Sequence, residues 1–235
     1  MGQEFSGFLY VASIWVVPVL LAITLHEAAH GYVAWRLGDD TAWRQGRVSF
    51  NPLRHVDPFG TVVLPALLLL LRAPFLFGWA KPVPVAFHRL GQPRRDMVLV
   101  AAAGPCANLL LAICSALLFH ALPILPEVVA RWVAENLSNS ILINLVLAVF
   151  NLIPLPPLDG GRVAVGLLPR TLARPLARLE RHGFLIIIGV VFLLPLVGRK
   201  FGIDLEVFHW IVIVPVQWLF TLFAALAGLS APLQL

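Results

Sequence analysis

Charge is what this sequence has least of. Only 12% of its 235 residues are charged, against about a quarter in soluble domains, whereas 60% are hydrophobic and the mean hydropathy is +0.89. That balance excludes an ordinary soluble domain and puts the chain in a bilayer. Cysteine is also scarce. Cys106 and Cys114 sit eight residues apart on one expected helix, with backbones on the order of 12 Å apart, which rules out a disulfide between them and leaves them as small buried residues. The opening residues Met1 to Ser6 lack a basic stretch, and no small-residue cleavage site follows the first apolar run, so that run is expected to stay as a helix rather than be removed as a signal peptide. Met1 to Ser6 formally fits a myristoylation pattern, which would add little to a chain already spanning the membrane. Nucleic-acid motifs are absent, so the net charge of +5 serves as a guide to topology.

Six apolar segments are present, at about 8–37, 60–77, 97–120, 141–154, 183–197 and 207–228, separated by connections containing Pro, Gly and Arg. The second is a poor candidate for crossing. It follows Asp57-Pro58, contains Pro65 and Arg72-Ala73-Pro74, and runs into Gly78-Trp79-Ala80-Lys81-Pro82. If it enters and returns, the basic residues of 38–96 (such as Arg44, Arg47, Arg54, Arg89, Arg94 and Arg95) and of 157–182 (Arg162, Arg170, Arg174, Arg178 and Arg181) gather on one side, leaving Arg131, Arg199 and Lys200 on the other. The expected fold is therefore an all-α polytopic membrane protein with about five transmembrane helices and a re-entrant segment, its N-terminus outside and its C-terminus cytoplasmic.

Residues His26-Glu27-Ala28-Ala29-His30 lie in the first apolar segment. A spacing of four puts both imidazoles on one helix face, one turn apart, where they can chelate one zinc ion. Glu27 is offset by about 100°, so it can stand beside the metal and take a proton from water. Ionisable groups roughly 10–17 Å inside the helix end are costly in a membrane unless compensated, which favours a functional cluster.

Hydrolytic zinc needs a third protein ligand. The candidates are His55, Asp57, His88, Asp96 and Asp159. Asp159 closes the run Asn151-Leu152-Ile153-Pro154-Leu155-Pro156-Pro157-Leu158-Asp159-Gly160-Gly161, in which three prolines end a helix at membrane depth. On local grounds alone Asp159 is equally a helix N-cap. Topology favours the ligand: with a re-entrant second segment, the first and fourth segments end on the same side, and Asp159 can reach the histidines.

These motifs, together with Asn-Pro-Leu-Arg-His-Val-Asp-Pro-Phe-Gly at 51–60, Gly-Trp-Ala-Lys-Pro-Val-Pro-Val at 78–85 and Gly104-Pro105 with Asn108, resemble the site-2 protease family of intramembrane zinc metalloproteases, in its short bacterial branch without PDZ or CBS domains. The resemblance covers about residues 20–165. It implies one zinc ion on His26, His30 and Asp159, Glu27 as general base and then acid, and Asn151 steadying the scissile backbone or its oxyanion. It also implies single-span membrane proteins as substrates, a bacterial inner membrane, and an active site towards the cytoplasm. The whole chain, 1–235, then reads as one protease domain, with a catalytic core at about 8–165 and C-terminal helices at about 166–235. No nucleic acid partner is expected.

A peptide bond in a membrane helix is shielded by its own hydrogen bonds, so a substrate must be held in extended form. Residues 43–50, including Gly46, Arg47, Val48, Ser49 and Phe50, read either as an ordinary cytoplasmic loop or as a short strand, and the family resemblance implies the latter: a small membrane-associated β-hairpin or sheet that offers an edge to the substrate, with Lys81 to Val85 as its partner. Arg170, Arg174 and Arg178, with Leu172, Leu176 and Leu179, suggest an interfacial helix interrupted at Pro175. Two other classes compete: a transporter conducting a metal ion or proton through the same residues, which should show inverted repeats, and a silent relative acting as a membrane chaperone, against which the intact Glu27 argues.

Overall fold

The computed structural model describes residues 2–71 and 78–228. Its helices are α1 (Gly2–Arg36), α2 (Thr41–Arg44), α3 (Leu64–Leu70), α4 (Pro93–Leu118), α5 (Glu127–Asn151), α6 (Asp159–Leu167), α7 (Arg170–Arg178), α8 (Glu180–Ile188), α9 (Leu194–Lys200) and α10 (Val214–Leu226). Five helical stretches among the described residues are long and apolar enough to cross a membrane: Ser6–Arg36, Pro93–Ile124, Glu127–Asn151, Glu180–Lys200 and His209–Leu226.

Three of these form the frame for the site. The start of α4 lies beside the end of α1, where Gly91 N donates to Leu37 O at 3.1 Å, so the two helices are antiparallel. Pro93 opens α4 in its first turn, and Asp96 Oδ2 accepts from Gln92 N at 2.7 Å, satisfying a donor at the helix start. α5 runs alongside α1 in the same direction: Trp132 Nε1 donates to Ser13 Oγ at 2.9 Å and Asn139 Nδ2 to Ile14 O at 3.0 Å. Behind this frame, Ala112 and Ala116 of α4 pack with Ile141 and Leu145 of α5 and with Val216 and Phe220 of α10. The small alanines allow the close helix approach that holds membrane bundles together.

The second apolar segment starts and finishes at one place. Asp57 Oδ1 caps its first turn by accepting from Phe59 N at 3.1 Å and Gly60 N at 2.6 Å. At the other end Trp79 N donates to Gly60 O at 3.1 Å, Thr61 Oγ1 to Trp79 O at 2.8 Å, and Lys81 N to His55 O at 2.9 Å. The chain thus comes back at Trp79 to where it set out at Gly60, which is the geometry a re-entrant segment needs. Arg72 and Pro74, on which part of that reading rested, lie outside the described residues.

The expected β-hairpin or sheet does not form: the described residues contain no strand. Arg44 ends a helical turn, Gly46 adopts a left-handed backbone (φ +65°), and Gly46 N and Arg47 N donate back to Trp43 O and Ala42 O, which makes a turn where an edge was expected. The 78–86 stretch has no regular secondary structure, and Pro82 and Pro84 have no N–H. Its other donors go elsewhere: Val83 N to Glu27 Oε2 at 2.8 Å and Ala86 N to Asp39 Oδ2 at 2.6 Å. The two segments nevertheless lie together, because a Cβ placed on Gly31 would sit 2.9 Å from Val48 and 3.2 Å from Val83.

Three further expectations meet the structure. Cys106 and Cys114 are exposed rather than buried. Arg170–Arg178 is helical in spite of Pro175, with its three arginines exposed and Ala173 buried. The last helix was expected to end on the side opposite the start of α1. Instead Phe208, just before α10, packs on Phe150 at the end of α5, and Leu226 O accepts from His120 Nε2 at 2.9 Å, beside the end of α4. α10 therefore ends where α1 begins. Hydropathy counts spans but carries no direction.

Candidate metal centre

His26 and His30 project from α1 towards α4, with their Nε2 atoms 3.1 Å apart. Asp159, the first residue of α6, brings Oδ2 to 3.2 Å from His26 Nε2 and 3.3 Å from His30 Nε2. All three residues are buried. The run of prolines delivers the aspartate: α5 stops at Asn151, the 152–158 loop turns back, and Gly160 and Gly161 press against its backbone so closely that a Cβ on either would lie 2.1 Å from it. Gly183 of α8 closes over the same loop, where an added Cβ would come within 1.8 Å of Pro156 O. Leu158 takes the cap position and Asp159 is the first residue inside the helix, so the alternative role as a helix cap is not the one it fills.

The outer nitrogens of both rings are engaged. His26 Nδ1 bonds Asn108 Oδ1 at 2.6 Å, and His30 Nδ1 bonds the Val100 carbonyl at 2.7 Å. Both partners are acceptors, so each neutral imidazole carries its proton on Nδ1 and presents a lone pair from Nε2. Asp159 Oδ2 is buried with no donor. Three lone pairs facing one another at 3.1–3.3 Å repel unless a cation lies among them. Gly104 of α4 leaves the room: a Cβ there would lie 2.4 Å from His30 Nε2 and 2.6 Å from His26 Nε2. Two imidazoles and a carboxylate with a fixed tautomer and a cleared approach fit a zinc ion and leave a coordination position open for chemistry.

Beside this cluster is a cavity of about 270 Å³ lined by Glu27, Asn151, Arg162, Pro82, Val83 and others. Glu27 is held at Oε2 by Val83 N–H, one helical step from the metal ligands. Asn151 lines the cavity while donating from Nδ2 to Leu147 O at 3.0 Å, within its own helix. Arg162 lies over the Phe87 ring at 5.5 Å.

The other ligand candidates are occupied elsewhere. Asp57 and Asp96 cap helix starts, and His88 lies in a short turn before α4. His55 places Nε2 2.9 Å from Ser49 O, which ties down the loop after Phe50. Of the segment expected to hold substrate, Arg47 is buried and its Nη2 donates to Lys81 O at 2.5 Å and Pro82 O at 3.3 Å. Val48, Ser49 and Phe50 line a separate apolar groove of about 600 Å³ between α1 and α4, on the flank of α1 carrying Ala28, Ala29 and Tyr32 rather than His26 and His30. Sequence reasoning noticed Asn108 and Gly104 only as part of a resemblance. Their roles depend on α4 meeting α1 at this register, which no local pattern announces.

The family model described as Peptidase family M50 matches residues 124–196. The chain is 41% identical over 187 residues to "Putative zinc metalloprotease YwhC" of Bacillus subtilis, covering 77% of this chain and 80% of that protein. It is 31% identical over 204 residues to "Putative zinc metalloprotease Rip2" of Mycolicibacterium smegmatis (86% and 73% covered), and 31% identical over 217 residues to the protein of the same name from Mycobacterium tuberculosis (92% and 74%). No solved structure matches the chain.

Proposed function

The chain belongs to Peptidase family M50, the site-2 protease family of zinc metalloproteases, and from that premise we propose that it is an endopeptidase cutting within or near the transmembrane segment of single-span membrane proteins. The observation that carries this reading is the buried Asp159 carboxylate, which has no donor and faces two histidine lone pairs in a helix long enough to span a membrane. His26, His30 and Asp159 hold one zinc ion. When bound, zinc supplies the Lewis acidity that polarises a peptide carbonyl and makes water nucleophilic at neutral pH.

The remaining work belongs to the chain. Glu27 takes the proton of the attacking water and delivers it to the departing amide nitrogen. The Val83 N–H aims its carboxylate by donating to Oε2 at 2.8 Å. Asn151, at the cavity wall, steadies the substrate backbone or the oxyanion. The substrate segment must arrive unwound, because a helix hides its carbonyls. Val48, Ser49 and Phe50 are the segment that meets it, presenting an exposed Phe50 beside the apolar groove. The arginines of 38–96 and 157–182 favour a cytoplasmic location for the site end of the bundle, and the bacterial relatives favour the cell membrane.

The test compares the full chain with Glu27→Gln. Both should bind one zinc, and only the parent should cut a panel of single-span membrane proteins in detergent or liposomes. A parent that binds no zinc, or cleavage that survives the substitution, refutes the reading.

A further inference from the structure

The hydrogen bond on His26 belongs to a longer chain of buried amides that crosses three helices. Asn108 Nδ2 donates to Ala22 O of α1 at 3.2 Å and to Asn144 Oδ1 of α5 at 2.7 Å. Asn144 Nδ2 donates in turn to Ser140 O at 2.8 Å and lies 3.3 Å from Ser140 Oγ, which also accepts from Ser115 Oγ at 2.8 Å. Asn108 and Asn144 are 0% and 1% exposed, so neither has water as an alternative partner.

The direction of every bond in this chain follows from its far end. A backbone carbonyl can only accept, so Ser140 O fixes the Asn144 amide group towards itself and turns Asn144 Oδ1 to Asn108. Asn108 must then present its amide nitrogen to Asn144, and Ala22 O, a second obligate acceptor, requires the same orientation. That leaves Asn108 Oδ1 towards His26, which has to donate from Nδ1 and therefore carries its lone pair on Nε2. His30 differs, since its Nδ1 is anchored directly on the Val100 carbonyl, which no side-chain substitution removes.

We propose that Asn108 and Asn144 are positioning residues for the zinc centre: together they set the tautomer and ring orientation of His26, with Asn144 acting through Asn108 from a helix that carries no ligand. The inference rests on the reading of His26, His30 and Asp159 as zinc ligands. An Asn108 free to flip would offer its amide nitrogen to His26 and favour the tautomer whose proton occupies the metal-facing nitrogen.

The experiment titrates zinc into metal-stripped, full-length protein against a chromophoric chelator. Asn108→Leu should weaken zinc binding by about 10–100-fold and Asn144→Leu by about tenfold, the range typical of lost outer-sphere partners of metal-bound histidines. Asn108→Asp keeps an acceptor for His26 Nδ1 and should bind about tenfold more tightly than Asn108→Leu. Ser140→Ala leaves the anchoring carbonyl in place and should match the parent. Nitrogen NMR of histidine-labelled, metal-free protein gives a second readout: the His26 signal should show the Nδ1–H form in the parent and a shift towards the Nε2–H form in Asn144→Leu. If His26→Ala abolishes binding while both leucine variants bind like the parent, the proposal fails. Equal weakening by Asn108→Asp and Asn108→Leu also overturns it, and that pair decides the matter if Asn144→Leu does not fold. Undiminished zinc binding in His26→Ala would instead refute the ligand assignment itself.

Discussion

Gly104→Ala adds one methyl group to α4 and replaces no proposed ligand, yet it should empty the metal centre. The new Cβ would lie 2.4 Å from His30 Nε2 and 2.6 Å from both Nε2 and Cε1 of His26, well inside contact distance. Neither ring can retreat freely, because His26 Nδ1 is held at 2.6 Å by Asn108 and His30 Nδ1 at 2.7 Å by Val100 O. Relieving the clash by moving the rings breaks those bonds, at a cost of about 1–3 kcal/mol for each buried group left unpaired. With both rings displaced the loss is about 2–6 kcal/mol, and even the lower end corresponds to more than about tenfold in affinity. Zinc binding should therefore fall by about 1,000-fold in the middle of that range. The assay is chelator competition on purified full-length protein, with circular dichroism to confirm that the helices persist. Gly189→Ala, where an added Cβ meets nothing within 4 Å, is the control. Zinc affinity in Gly104→Ala within about twofold of the parent, with the fold intact, would refute the reasoning, since a shift that small is below 0.5 kcal/mol or so.

Two other predictions concern the 78–86 stretch. Val83→Pro removes the N–H that Glu27 Oε2 accepts, and should leave zinc bound while lowering kcat by about tenfold, within the range one positioned hydrogen bond contributes; unchanged kcat would show that Glu27 is aimed by something else. Asp39 is wholly buried, where desolvation works to raise its pKa, but hydrogen bonds from Thr41 and Ala86 N and the nearby Arg89 prevail and hold it below the usual carboxylate range. A lowered folded pKa means that the stabilisation is complete above the unfolded value of about 3.9 and is lost as the pH falls through the lowered value. Asp39→Asn should thus reduce the melting midpoint at neutral pH, with the difference from the parent shrinking under strongly acidic conditions; a difference that grows on acidification contradicts the assignment.

Much of the site was legible because its parts are local. The spacing of His26 and His30 puts them on one face, the prolines before Asp159 announce irregular backbone, and the arginine distribution calls for a second segment that returns to its own side, in keeping with the clasp between Gly60 and Trp79. The missing sheet was not legible. The donors of Val83 and Ala86 are taken by Glu27 and Asp39, side chains 56 and 47 residues away in sequence, and no reading of strand propensity contains those partners. Asn144 was invisible for a similar reason. It is one polar residue in the α5 stretch Glu135 to Ser140 and beyond, and only the approach of α4 gives it a role. The direction of α10 was lost because apolar length is unsigned, whereas the contact of His120 with Leu226 is not.

The central claim is that His26, His30 and Asp159 together hold zinc. X-ray absorption at the zinc edge of the metal-loaded full chain tests it directly. The account predicts two imidazole nitrogens at about 2.0–2.1 Å and oxygen at about 2.0–2.2 Å, with the imidazole contribution reduced in His26→Ala and an oxygen lost or replaced in Asp159→Ala. Sulfur at about 2.3 Å, or a zinc environment unchanged by either substitution, would contradict it.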